Sequence, residues 1–170
     1  MVNPGTIMLG GIFGILVNYA LRDFFHVAVA RDTAFQAAIN LSNGKGIVNI
    51  GCGPHHTYLS KIVADHPAVL ANLDIAPDGM PNFIQIDLER SPLPFADKQF
   101  GCAFASHVLE HLDNWSFALE EACRVAENVV VVLPDPLYVS GWLWPSHIQH
   151  FSRTDIREMV DRYPNVEVYI

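Results

Sequence analysis

Past Asn43-Gly44 the chain alternates between short runs that are apolar throughout and stretches whose apolar residues recur at helical spacing. Ile47 to Ile50 is the first apolar run and ends at Gly51, which predicts a strand. Thr57 to His66 follows, with Leu59, Ile62 and Val63 at helical spacing, and Pro67 stops it. Val69 to Ile75 and Phe83 to Leu88 are predicted as the second and third strands, separated by a loop with Pro77, Gly79 and Pro81. Phe100 to Ala105 is the fourth. A helix is predicted from Asp113 or Asn114, both good N-caps, because Trp115, Ala118, Leu119 and Ala122 fall at i, i+3, i+4 and i+7. Val129 to Leu133, closed by Pro134, is the fifth strand. Ser152 with Asp155 then gives a capping signal ahead of an apolar stripe of Ile156, Met159, Val160 and Tyr163. Pro164 ends that helix, and Val166 to Ile170 is a last strand.

Strands that are apolar throughout are those buried on both faces of a parallel sheet. Their alternation with helices predicts an α/β domain, a Rossmann-like, doubly wound and mainly parallel sheet. Ligands of such sheets bind outside the carboxyl ends of the strands, which is where the chemistry is expected. Ahead of the domain, Ile7 to Leu21 carries no charge. A membrane-spanning helix needs about 20 apolar residues, so this run is short, and Asn18 weakens it. No basic residue precedes it, against a secretory signal, whereas Arg22 and Arg31 follow it and would keep the rest in the cytoplasm. The expectation is a hydrophobic N-terminal helix over residues 1–23, a transmembrane anchor through 7–21, with the domain over 24–170. A packed N-terminal helix is the alternative. Phe24 to Leu41 is predicted as a second helix.

With 170 residues there is room for one ordinary domain. Ten basic against 18 acidic residues give a net charge of −8, so a nucleic-acid partner is not expected. Cys52, Cys102 and Cys123 are widely spaced and form no C-x-x-C pair, so each is expected as a small core residue, with no thiolate metal site.

Two glycines and two acids stand where a nucleoside site would need them. Gly51 and Gly53 follow the first strand, where the missing Cβ lets backbone approach a ligand. The dinucleotide pattern G-x-G-x-x-G is not completed, because His56 holds its last position. Asp74 ends the second strand, 23 residues after Gly51, and can accept ribose hydroxyls. Asp87 ends the third, and could accept an exocyclic adenine amine.

The succession NIGCG, NLDIA, IDLERSPLPFADKQF, ASHVLEHL and VVVVLPDP resembles the class I S-adenosylmethionine-dependent methyltransferases, in particular their small-molecule type 11 branch, over roughly Ile47 to Val160. The resemblance implies S-adenosylmethionine as cofactor. It implies that Gly51, Cys52 and Gly53 line the methionine portion and that Asp74 and Ile75 meet the ribose. Asp87 and Leu88 would flank the adenine, with Ser106 and His107 facing the sulfonium and substrate. HIQHFSRTDIREMV, from His147, also resembles the family's segment between the fifth strand and the next helix. Three positions depart from the family. His55 replaces a usual third glycine, and Gly101 replaces a usual acid. One strand follows the last helix where the family adds an antiparallel hairpin, so the sheet is expected to be C-terminally shortened, with an edge that could take a second copy of the chain.

Methyl transfer from a sulfonium needs no metal, and none is expected. An acceptor with an acidic proton needs a base, for which His107, His111, His147 and Glu110 are candidates and His107 and His147 the favoured catalytic pair. Tyr138, Trp142, Trp144 and Phe151 suggest an apolar or planar acceptor, quinone-like or lipid-like. Two other readings stay open. One is an inactive scaffold that keeps the fold. The other is a zinc hydrolase using the H-x-x-E-H pattern of His107, Glu110 and His111, which would need both histidines in one long helix.

Overall fold

The computed structural model describes residues 27–53, 58–76, 79–136 and 146–170. The expected anchor, His55, and the aromatic residues Tyr138, Trp142 and Trp144 lie outside the described residues. Among the described residues no helix is long and apolar enough to cross a membrane.

Helix α1 covers residues 27–41. Strand β1 (Ile47–Ile50), helix α2 (Tyr58–Ala64), strand β2 (Val69–Asp74) and strand β3 (Phe83–Gln85) follow. Strand β4 (Phe100–Ser106) leads through a single 3-10 turn (Leu109–His111) into helix α3 (Trp115–Val125) and strand β5 (Ala126–Val132). Helix α4 (Arg153–Arg162) and strand β6 (Val166–Tyr169) complete the order. The sheet runs β3-β2-β1-β4-β5-β6, and all five neighbouring pairs are parallel. The winding reverses between β1 and β4, so the crevice expected of such a sheet opens at their carboxyl ends.

Side-chain alternation divides the core in two. Ile47, Cys102, Phe104, Val130 and Val132 point to one face, where Ala34, Phe35 and Ala38 of α1 cover them. Val48, Ile50, Ala103, Ala105, Val129 and Val131 point to the other, under Leu119, Ala122 and Val125 of α3 and Met159 of α4. Both faces are therefore buried, which explains why these strands carry no polar alternation.

Four details differ from the pattern-based expectation. Strand β3 has three residues, and Asp87 lies beyond its end. Its partner β2 stops at Asp74, opposite Gln85, so after Ile86 N–H donates to Asp74 O there is no strand left to pair with. Strand β5 begins at Ala126, immediately after α3, with no connecting residue. Lys98 makes that junction workable: its Nζ donates to the carbonyls of Cys123 (2.6 Å) and Ala126 (2.8 Å) at the helix end. Asn114 precedes α3 but makes no side-chain capping bond: its Oδ1 accepts from the Ser116 hydroxyl at 3.5 Å, and its Nδ2 donates to Glu89 O. Val160 is exposed, since it sits one residue, about 100°, round the helix from buried Met159. The capping box at α4 forms as expected, with Ser152 and Asp155 each receiving the other's backbone N–H.

Candidate active site

The turn after β1 is built for close approach. Gly51 has φ +63°, and a Cβ there would lie 2.4 Å from Val108 Cγ2, so only glycine lets the turn and the end of β4 touch. Gly53 also has a positive φ, and its N–H donates to Asp74 Oδ2 at 2.9 Å. Ala76 N–H donates to the other carboxylate oxygen at 3.2 Å. Asp74 therefore ties the glycine turn to the end of β2. Cys52 is buried beside Ala64 and Met80, whereas Ile75 is exposed. Leu88 is packed into the core, and Asp87 Oδ1 accepts Glu89 N–H at 3.0 Å.

At the end of β4 the backbone turns sharply. Ser106 is buried, and among the described residues its Oγ has no hydrogen-bond partner. His107 has φ +55°, in the left-handed region that side chains other than glycine rarely enter. Strain of this kind, worth about 1–3 kcal/mol, persists where surrounding contacts over-determine it. Here those contacts are His107 N–H to Val132 O (3.0 Å) and His107 Nδ1 to Glu110 Oε1 (3.1 Å). Because Glu110 accepts at Nδ1, the lone pair of the neutral ring falls on Nε2. Nε2 is itself buried and has no partner among the described residues.

Glu110 is 1 % exposed and stands at the centre of the four base candidates. His147 Nε2 lies 4.0 Å from Glu110 Oε1, and the rings of His147 and His111 meet edge to face with centroids 4.8 Å apart. His111 Nδ1 lies 2.8 Å from Ser146 O. The N–H groups of Ile148 and Gln149 both donate to Glu110 O, at 2.9 and 3.0 Å, fastening the segment before α4 to the 3-10 turn. Sequence reasoning named all four groups separately, and the fold brings them together. It missed Pro134, Asp135, Pro136, Gln149 and His150, which join Glu110, His147 and Phe151 around a narrow cleft of about 20 Å³. Their signal was available, since LPDP follows the carboxyl end of a buried strand.

The H-x-x-E-H pattern does not form a zinc-protease helix. His107 follows the strand, and only Leu109–His111 is helical. Phe151, the one described member of the expected aromatic rim, is buried and packs edge-on against Trp115 at 5.3 Å.

Residues 48–129, from β1 into β5, match the family model of the methyltransferase domain. This chain carries a methyltransferase domain. Its fold is also that of a solved SAM-dependent methyltransferase from Thermotoga maritima, described as a "possible histamine N-methyltransferase". The two share 18 % identity at a TM-score of 0.56, over 90 % of this chain and 79 % of that one. None of the curated proteins matches the chain. Family and fold thus agree with the resemblance seen in the sequence, a type 11 methyltransferase domain on a Rossmann-like sheet with S-adenosylmethionine as methyl donor.

Proposed function

We propose that the methyltransferase domain binds S-adenosylmethionine across the carboxyl ends of β1, β2 and β4, and that His107 accepts the proton of a small acceptor. The single observation behind this reading is the His107 ring, at the end of β4 and next to the Gly51 turn through Val108, with Nδ1 held by a buried carboxylate and Nε2 unpartnered among the described residues. Gly51, Cys52 and Gly53 would pass along the methionine portion. Asp74 keeps acceptor capacity for ribose hydroxyls beyond its two backbone donors. Ile75, Asp87 and Leu88 would border the adenine, with Leu88 contributing backbone because its side chain is in the core. Ser106 Oγ and His107 Nε2 are left for the sulfonium end.

The cofactor supplies a methyl group on a positively charged sulfur, which leaves as a neutral thioether once the acceptor's electron pair forms the new bond to carbon. The protein holds acceptor, methyl and sulfur in line. His107 Nε2 takes the proton the acceptor releases, and Glu110 stabilises the imidazolium that results, a contribution of about 10²–10⁴ in rate. Glu110 is then a positioning residue for His107.

The acceptor we infer is apolar or planar, of the quinone-like or lipid-like class. The cleft beside Glu110 has Pro134, Pro136 and Phe151 among its walls. It shares Gln149, His150 and Phe151 with a wider neighbour of about 380 Å³, which gives room for a ring or chain. The uncharged run Ile7 to Leu21 would present the site to a bilayer, and the outer edge of β6 is where a second copy would pair.

Calorimetric titration of S-adenosylhomocysteine into the full chain tests the cofactor site. Micromolar binding that Asp74→Ala abolishes is expected; a folded protein that does not bind would sink the reading and favour a scaffold. With labelled donor and quinone-like acceptors, His107→Asn should lower kcat by about two orders of magnitude while leaving that affinity in place.

A further inference from the structure

We propose that Glu110, His111 and His147 form a binding site for one divalent transition-metal ion. Each offers a ligand atom, and these atoms lie within 4.8 Å of one another. An ion about 2.0–2.2 Å from each ligand draws the three to within roughly 4 Å, so side-chain adjustments of about an ångström complete the site.

Three independent features point to an ion. The first is the buried carboxylate. Glu110 Oε1 accepts from His107, but Oε2, also buried, has no partner among the described residues, and no lysine or arginine among them ion-pairs with this side chain. A carboxylate oxygen taken out of water without donor or counter-charge is costly, and a bound cation removes that cost. The second is the tautomer of His111. Its Nδ1 can reach Ser146 O only as a donor, which leaves the lone pair on Nε2; a ligating histidine is typically fixed in this way by a carbonyl on its far nitrogen. The third is preorganisation. His147 comes from a different segment, yet the two backbone bonds to Glu110 O hold it in place beside the other two ligands.

The donor set selects the ion class. Two imidazoles and one carboxylate suit zinc, manganese, iron or cobalt, whereas magnesium and calcium prefer all-oxygen shells. Three protein ligands leave coordination positions open, as in catalytic sites. Glu110 and His147 line the narrow cleft beside the Pro134–Pro136 segment, so an open position faces that cleft. On the methyl-transfer reading, which this clause rests on, the acceptor is then a hydroxyl compound such as a hydroquinone. Its oxygen binds the ion, loses its proton to His107 Nε2 and forms the bond to methyl carbon as the carbon–sulfur bond breaks.

The test is a Co²⁺ titration of tag-free full-length protein stripped with chelator, followed by visible absorption and by paramagnetically shifted imidazole N–H signals. One equivalent should bind, with two shifted imidazole signals, and His111→Ala and His147→Ala should each weaken binding about 10–100-fold. The spectra of the unmodified protein decide the matter even if a variant fails to fold. Sub-stoichiometric binding, no shifted imidazole signals, or unchanged affinity in both folded variants would overturn the site. S-adenosylhomocysteine titration of the same samples separates the two readings. Cobalt binding without it keeps the metal site and removes the methyl-transfer role; the reverse removes the metal.

Discussion

Asn72 lies inside β2 with no exposed surface, and its amide ties three segments to one point. Its Oδ1 accepts from Asn49 in β1 at 2.8 Å, and its Nδ2 donates to Ala64 O at the end of α2 and to Pro81 O ahead of β3. We expect Asn72→Leu to leave the buried Asn49 amide and two carbonyls short of a partner. Urea unfolding should show a loss of about 2–4 kcal/mol; an unchanged midpoint would mean those groups find other partners. None of this was legible in the sequence, because an apolar run predicts a buried strand and is silent on which polar residue the core can satisfy. Gly101 is similar. A Cβ there would fall 1.8 Å from Ser42 O, so the acid that the family resemblance leads one to expect has no room beside the turn after α1. The departure was readable, but its cause exists only in three dimensions. By contrast, Gly51, Asp74 and His107 were legible, because strand-end positions are where this architecture puts its chemistry.

Among the elements, α3 holds more than its own stripe. Arg124 donates to the carbonyls of Leu93 and Phe95, to Asp97 and, through two nitrogens, to Glu121, while Glu121 also accepts Leu93 N–H. The L-P-F segment is thus clamped to the helix. The Arg124 hydrogen bond, more than the Leu93 N–H or charge alone, holds the Glu121 carboxyl below its ordinary value of 4.5, against the raising effect of burial. A lowered folded pKa means stability that is complete above the unfolded value and lost as pH falls through the folded one. Thermal unfolding followed from pH 7 to 3 should therefore fall below about 4.5, and Glu121→Gln should flatten that part of the curve. A variant with the parent's profile would place the acid sensitivity elsewhere. Helix existence and the α4 capping box were readable because they depend on local chemistry. The end of β3 and the start of β5 were not, since one is set by the length of a neighbouring strand and the other by a lysine 28 residues away in sequence.

For the molecule as a whole, two helical layers and one sheet leave no face of the central strands open, and the sequence announced this through strands without polar alternation. What it could not announce was the meeting of residues 107–111 with 146–149, which depends on where β5 releases the chain. The same enclosure gives the protein a clock. Cys102, in the middle of the sheet between β1 and β5, has no exposed surface, and burial pushes its thiol up to about 12. Iodoacetamide at pH 8 should therefore leave Cys102 untouched for as long as the sheet is closed. At high reagent concentration, mass spectrometry of the labelled peptide would read the rate at which molecules open, one at a time, without denaturant. Rapid labelling in an otherwise folded sample would reveal a door in the sheet that the packing does not show.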